Sequence, residues 1–194
     1  MENQEKISID VVLLLPEYIN DICKELNKES DKKDYVSFED GYNPHLTLGM
    51  GSILVKNIDN FKKELGLIIE KFKAPEIQIT ALGAGKYDHF SLEVSESLKN
   101  IHIDVFNLIS KYNAGTVTKD NFYEMKEHGS LVDWVNNFKV NSAYENYHPH
   151  ITLGIGVKEM LLAFPITFKS VSVGFFHLGV HGTCKKLLKN FDFK

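Results

Sequence analysis

Apolar residues along this chain follow two different periods, and the switches between them mark the elements. Ile7 to Leu15 begins as an alternation, becomes a continuous apolar run and stops at Pro16, which predicts a strand. From Pro16 to Glu29 the apolar positions Ile19, Ile22, Cys23 and Leu26 share one face of a helix. Tyr35 to Phe38 reads as a short strand and His45 to Met50 as a longer one. Asn57 to Lys73 returns to helical spacing through Ile58, Phe61, Leu65, Ile68, Ile69 and Phe72. Glu76 to Leu82 and Tyr87 to Val94 read as strands joined by a turn at Gly83-Ala84-Gly85, and Ser97 to Tyr112 as a helix. Gly115 to Asn146 has the weakest pattern, with one short helix predicted from Leu131 to Phe138. Strands follow at His150 to Ile155, Ile166 to Leu178 and Cys184 to Phe191. Several strands are joined by turns too short for parallel crossovers, so the expected class is α+β with antiparallel pairing.

The chain also repeats itself. Tyr42-Asn43-Pro44-His45-Leu46-Thr47-Leu48-Gly49-Met50-Gly51 returns as Tyr147-His148-Pro149-His150-Ile151-Thr152-Leu153-Gly154-Ile155-Gly156, with seven of ten positions identical and 105 residues between the copies. Two copies so far apart, one in each half, suggest a duplicated lobe rather than a solenoid. Strand alternation places His45 and Thr47 on one face with Gly49 and Gly51, and Leu46, Leu48 and Met50 on a core face. The second copy sets His150, Thr152, Gly154 and Gly156 against Ile151, Leu153 and Ile155. Packing requires apolar periodicity, but it does not require the same imidazole and hydroxyl twice on the opposite face.

An approximate twofold between the lobes would bring the two imidazoles face to face across a cleft. Two histidines can divide general-base and general-acid work on one phosphodiester, because the ordinary imidazole pKa of about 6.5 makes both protonation states accessible near neutrality. The two threonine hydroxyls can donate to the nonbridging oxygens as charge builds there. This chemistry needs no metal and no cofactor.

The paired His-x-Thr motifs resemble those of the 2H phosphoesterase superfamily, which includes LigT-like RNA ligase/cyclic phosphodiesterases, 2′,5′-oligoadenylate phosphodiesterases and phage nucleases that degrade cyclic-oligonucleotide signals. The resemblance implies a bilobal fold of two pseudo-twofold-related lobes, each an antiparallel sheet with flanking helices, with the active-site cleft between them. Residues 1–194 are expected to form a single such domain. It also implies acid–base roles for His45 and His150, with His45 as the base, and phosphate contacts for Thr47 and Thr152. The implied substrate is a small nucleotide or oligonucleotide: a 2′,3′-cyclic phosphate, a 2′,5′ linkage or a cyclic oligonucleotide. A non-catalytic nucleotide-binding module on the same fold is the alternative.

Other residues carry two readings each. Tyr42 and Tyr147 precede the motif histidines by three positions, and could meet a base or phosphate or pack at the lobe junction. Phe175 and His177 share a strand face and could form a base-stacking wall, with core packing as the alternative. Lys185 and Lys186 could contact phosphate or line a solvated strand edge. His148, His150, His181 and Cys184 invite a zinc reading, but their spacing fits no established zinc pattern. Leu82 to Tyr87 superficially resembles a P-loop, lacks its upstream Gly and its Ser/Thr after Lys86, and reads as a hairpin turn. His89, His102 and His128 read as surface or internally satisfied residues.

Composition narrows the classes. All 22 basic residues are lysine, so no guanidinium fork is available for phosphate. A net charge of −4 argues against binding bulk duplex nucleic acid. No apolar run is long enough to span a membrane, the polar N-terminus does not resemble a signal peptide, and two cysteines are too few for a disulfide framework. A cytoplasmic monomer is expected.

Overall fold

Eight strands and five helices are seen in a computed structural model that describes residues 5–28, 30, 36–125, 129–157 and 161–194. In chain order these are β1 (Lys6–Leu14), α1 (Glu17–Lys28), β2 (His45–Leu54), α2 (Ile58–Ile69), β3 (Glu76–Gly83), β4 (Asp88–Leu92), α3 (Glu96–Tyr112), α4 (Ser130–Asn136), α5 (Phe138–Ser142), β5 (His150–Gly154), β6 (Ile166–Lys169), β7 (Ser172–His177) and β8 (Lys186–Asp192). The strand expected over Tyr35–Phe38 starts outside the described residues, and Phe38–Asp40 forms a 3₁₀ turn. His128 also lies outside them. Helix α2 is shorter than its apolar spacing predicts. Its last turn tightens, with Lys71 N donating to Ile68 O and Phe72 N to Ile69 O, while Phe72 still packs on the core.

The strands form two antiparallel four-stranded sheets flanked by helices, ordered β2-β1-β7-β8 and β5-β4-β3-β6. The fold is α+β and bilobal. Each repeat occupies an edge strand, β2 in one sheet and β5 in the other. The lobes are not successive halves of the chain, however. The second sheet uses only the middle strands, and the first takes β1 and β2 from one end and β7 and β8 from the other. The single strand predicted from Ile166 to Leu178 is therefore two strands in different sheets. The break falls at Ser170, whose N donates to Pro75 O and whose Oγ donates to Leu14 O at 2.9 Å. Those partners are distant in sequence, so the local β-rich pattern gives no sign of the crossing.

Both motif strands carry a bulge at the same place. On β2 the register runs Leu14↔His45, Leu13↔Leu46 and Val12↔Thr47, then skips Leu48 and resumes at Val11↔Gly49 and Asp10↔Met50. On β5 it runs Ser91↔His150, Phe90↔Ile151 and His89↔Thr152, then skips Leu153 and resumes at Asp88↔Gly154. One extra residue reverses the alternation beyond it. This overturns part of the expected face assignment. His45 and Thr47 do face away from Leu46 and the core, but Gly49 and Gly51 turn inward and Met50 turns toward the cleft. Three of the four repeated glycines admit a close neighbour: a Cβ on Gly49 would lie 3.0 Å from Ile109 Cδ1, one on Gly51 2.5 Å from Ile109 Cγ2, and one on Gly154 2.6 Å from Cβ of Ser30, just past α1, whereas a Cβ on Gly156 would meet nothing within 4 Å.

The helices cross over. Helix α3, begun by Ser95 Oγ accepting from Leu98 N, follows β4 but packs on β2, and α1 follows β1 but packs on β5. Each supplies a buried side chain to the facing bulge. His102 Nδ1 donates to Leu48 O at 2.6 Å, and Asn27 Nδ2 donates to Leu153 O at 2.8 Å. His102 is also held by Tyr144 N donating to its Nε2, which makes it the satisfied internal histidine expected from sequence.

The inward orientation of Gly51 is testable. Gly51→Ala should destabilise the protein by about 1–3 kcal/mol through overpacking against Ile109. Urea unfolding measures this, and wild-type stability would mean that Gly51 faces open space.

Candidate active site

The two edge strands bring the repeats onto one cleft of about 940 Å³, lined by His45, Thr47, His150 and Thr152. Each motif histidine is braced in the same way. His45 Nδ1 donates to Asn43 O at 2.7 Å, and His150 Nδ1 donates to His148 O at 3.1 Å. A backbone carbonyl can only accept, so Nδ1 carries the hydrogen in both neutral rings and Nε2 is left with a lone pair. The brace comes from the backbone two residues upstream, which explains why that position can be Asn in one copy and His in the other.

Burial sets the charge of both rings. His45, with its side chain 13% exposed, is pushed down to about 4, chiefly by desolvation and further by the neighbouring His150. Desolvation likewise lowers His150, and His89 lowers it further. The His89 ring lies 5.5 Å from that of His150, edge to face, and its Nδ1 donates to Tyr87 O. Both imidazoles are therefore neutral at pH 7 in the empty cleft and can take up a proton when an anion arrives.

Other sequence candidates are distributed unevenly. Tyr147 lines the cleft as part of the lobe junction: its hydroxyl donates to Thr47 O at 3.0 Å, and its ring stacks on His102 at 3.8 Å and 8°. Tyr42 sits outside the lining, half-buried, with Lys185 Nζ 4.7 Å from its ring centre. Lys185 also lies 3.9 Å from Glu124, which does line the cleft, whereas Lys186 is an exposed residue of β8 opposite His177. Phe175 pairs with Val11 and is buried against Phe61, and His177 Nε2 donates to Asn121 O. For both, the strand register produces packing rather than a cleft wall. His148 and His181 reach the lining, but the zinc group weighed from sequence does not assemble among the described residues.

Three site features escaped the sequence reading. The hairpin at residues 83–87 delivers Lys86 to the cleft, where Nζ donates to Ser130 Oγ at 3.1 Å and provides a cation in a chain without arginine. Trp134, on α4, is 43% exposed and forms an aromatic wall. Asp10, on β1, is fully buried behind the first motif, with Oδ2 3.1 Å from Thr47 Oγ1, 3.8 Å from His45 Nε2 and 3.9 Å from Cys184 Sγ. One ligand atom each from Asp10, His45 and Cys184 lie within 4.8 Å of one another. Burial raises both the Asp10 carboxyl and the Cys184 thiol well above their ordinary values, which opposes the deprotonation that ligating a cation would require.

No family model and no curated protein sequence matches the chain. Solved structures do match its fold. One described as TT0787 of Thermus thermophilus superposes with a TM-score of 0.58 at 14% identity, covering 96% of this chain and 98% of its own. E. coli LigT with bound phosphate gives 0.54 at 14% identity over 98% and 99%. A protein described only as a phosphoesterase gives 0.54 at 13% identity over 97% and 99%. The chain has the same fold as these proteins over nearly its whole length.

The lowered histidines carry a sign for stability. Between the ordinary value near 6.5 and the lowered native values, the unfolded chain binds protons that the folded chain refuses. Stability from this source is full above about pH 6.5 and falls as the pH drops toward 4, by on the order of 3 kcal/mol for His45. Asp10 acts in the opposite sense: its contribution is full below the ordinary carboxylate value and fades as the pH rises through its raised native value. Urea unfolding of wild type and His45→Gln at pH 7 and pH 4.5 separates the histidine contribution from that of Asp10: on acidification the wild type should fare worse than the variant by up to about 3 kcal/mol, and NMR should find one imidazole titrating near 4.

Proposed function

We propose that the chain is a metal-independent phosphodiesterase of the 2H type, acting on an RNA-like phosphodiester in a small nucleotide or oligonucleotide. The observation that carries this reading is the pair of His-x-Thr strands, each with a backbone-braced imidazole, on one cleft. The LigT structures add support, since some of that protein's are described as complexes with phosphate and with ATP. His45, pushed down to about 4, is the base; its Nε2 takes the proton of a water or ribose hydroxyl that attacks phosphorus. His150, protonated once the phosphate is bound, gives its Nε2 proton to the departing ribose oxygen as the P–O bond breaks. Thr47 and Thr152 donate to the nonbridging oxygens, and the Lys86 ammonium supplies the positive charge that arginine would otherwise provide. Trp134 offers a face for a base.

The test is a panel: cyclic-phosphate nucleotides, 2′,5′- and 3′,5′-oligoadenylates, and cyclic di- and trinucleotides, with products identified by mass. His45→Ala and His150→Ala should each lower turnover by about 10²–10⁴-fold while leaving the fold intact. Binding without turnover by the wild type would favour the nucleotide-binding module instead. Activity should persist in excess EDTA, and chelation loss restored by zinc would overturn the metal-free mechanism. The productive free enzyme has His45 neutral and His150 protonated, so kcat/KM should peak on the acid side of 6.5. The kcat profile should sit at higher pH, because bound phosphate raises both imidazoles.

A further inference from the structure

The Thr47 hydroxyl has one proton and two claims on it. Its Oγ1 lies 3.1 Å from Asp10 Oδ2, and the same hydroxyl faces the cleft. If Asp10 were ionised, that proton would be committed to the carboxylate and none would remain for a phosphate oxygen. The opposite proton arrangement fits the same heavy-atom positions.

The surroundings of Asp10 decide between them. The carboxyl is fully buried, and its Oδ1 has no hydrogen-bond partner among the described residues. The titratable groups facing it among the described residues are His45 from β2, Cys184, and Tyr147 ahead of β5. None of these is a fixed cation, and burial keeps His45 neutral and the other two protonated. A phosphate anion in the cleft adds like charge and favours the neutral acid further. At the equivalent place ahead of β4, two residues before the partner of Thr152, stands Tyr87, so no carboxyl occupies that register position in the second motif.

We propose that Asp10 is a neutral carboxylic acid that donates its Oδ2 proton to Thr47 Oγ1, leaving the Thr47 proton for a phosphate oxygen in the cleft. Asp10 is then a positioning residue. It makes Thr47 the stronger donor of the two threonines and breaks the pseudo-twofold at the phosphate. The proposal rests on the phosphodiester reading only in taking phosphate as the group bound.

Infrared difference spectra of wild type minus Asp10→Asn at pH 7, without ligand, test the protonation state directly. A protonated-carboxyl band that disappears in the variant is expected, and a carboxylate band overturns the proposal. Titration with inorganic phosphate tests the consequence. Asp10→Ala should weaken binding roughly 3–10-fold, the equivalent of one neutral hydrogen bond. Asp10→Asn should restore it, since the amide N–H can donate to Oγ1. In a Thr47→Val background, Asp10→Ala should have no further effect. Asn as damaging as Ala, or an undiminished Ala effect without the Thr47 hydroxyl, would overturn the relay. Neither arm needs turnover, so an inactive wild type would count against the phosphodiesterase reading alone, and a misfolded Asp10→Ala would leave the infrared result decisive.

Discussion

A carbonyl turned out of a sheet ladder inside a protein must find a donor, or the fold loses about 1–3 kcal/mol. This chain creates that demand twice, at Leu48 and Leu153, and meets it each time with a side chain from a helix that follows the other lobe's sheet. The bulge, the glycines beyond it and the crossing helix depend on one another. Without the bulge, Gly49 would face the cleft and the helix would have no seat; without the glycines, Ile109 and Ser30 could not approach. His102 extends the arrangement by accepting from Tyr144 N and stacking on Tyr147, whose hydroxyl reaches back to Thr47 O. The lobes are locked together at the strands that carry the histidines.

The parts of the site legible in the sequence are those that repeat. His45, Thr47, His150 and Thr152 stand out because nothing about packing calls for an imidazole and a hydroxyl twice. The bulges leave no such mark, since Leu-Gly-Met-Gly and Leu-Gly-Ile-Gly alternate as well with a skipped residue as without one. Asp10 is hidden by its setting: one carboxyl in an apolar run reads as the polar half of an alternation, and only the fold shows that this half is covered too. Lys86 was legible as a turn residue, but which cleft the turn overhangs is decided by β4 pairing with β5. The break at Ser170 depends on Pro75 and Leu14, which no local window contains.

On the proposed reading, a chain without guanidinium groups has to hold phosphate differently. Lysine gives a point charge with rotatable donors, so it fixes charge without fixing orientation. Orientation then falls to groups held by the backbone: two rings pinned by carbonyls two residues upstream, and hydroxyls on strands whose register is set by the bulges. The geometry that an arginine fork carries in one side chain is here spread over the edges of two sheets.

The interleaving of the lobes also governs the order in which the molecule can be completed during synthesis. Strands β3 to β6 lie in one continuous stretch and can pair as soon as that stretch is available. The first sheet cannot close until β7 and β8 return to lie beside β1, although β1 is made before every other strand of the two sheets. Until then β1 has one open flank, and the apolar face of β2 has no finished sheet to belong to. The sheet that carries the first histidine is thus completed only after the second motif has been made, and a chain cut short after the second motif would contain every residue of both repeats without the finished sheet that aligns them.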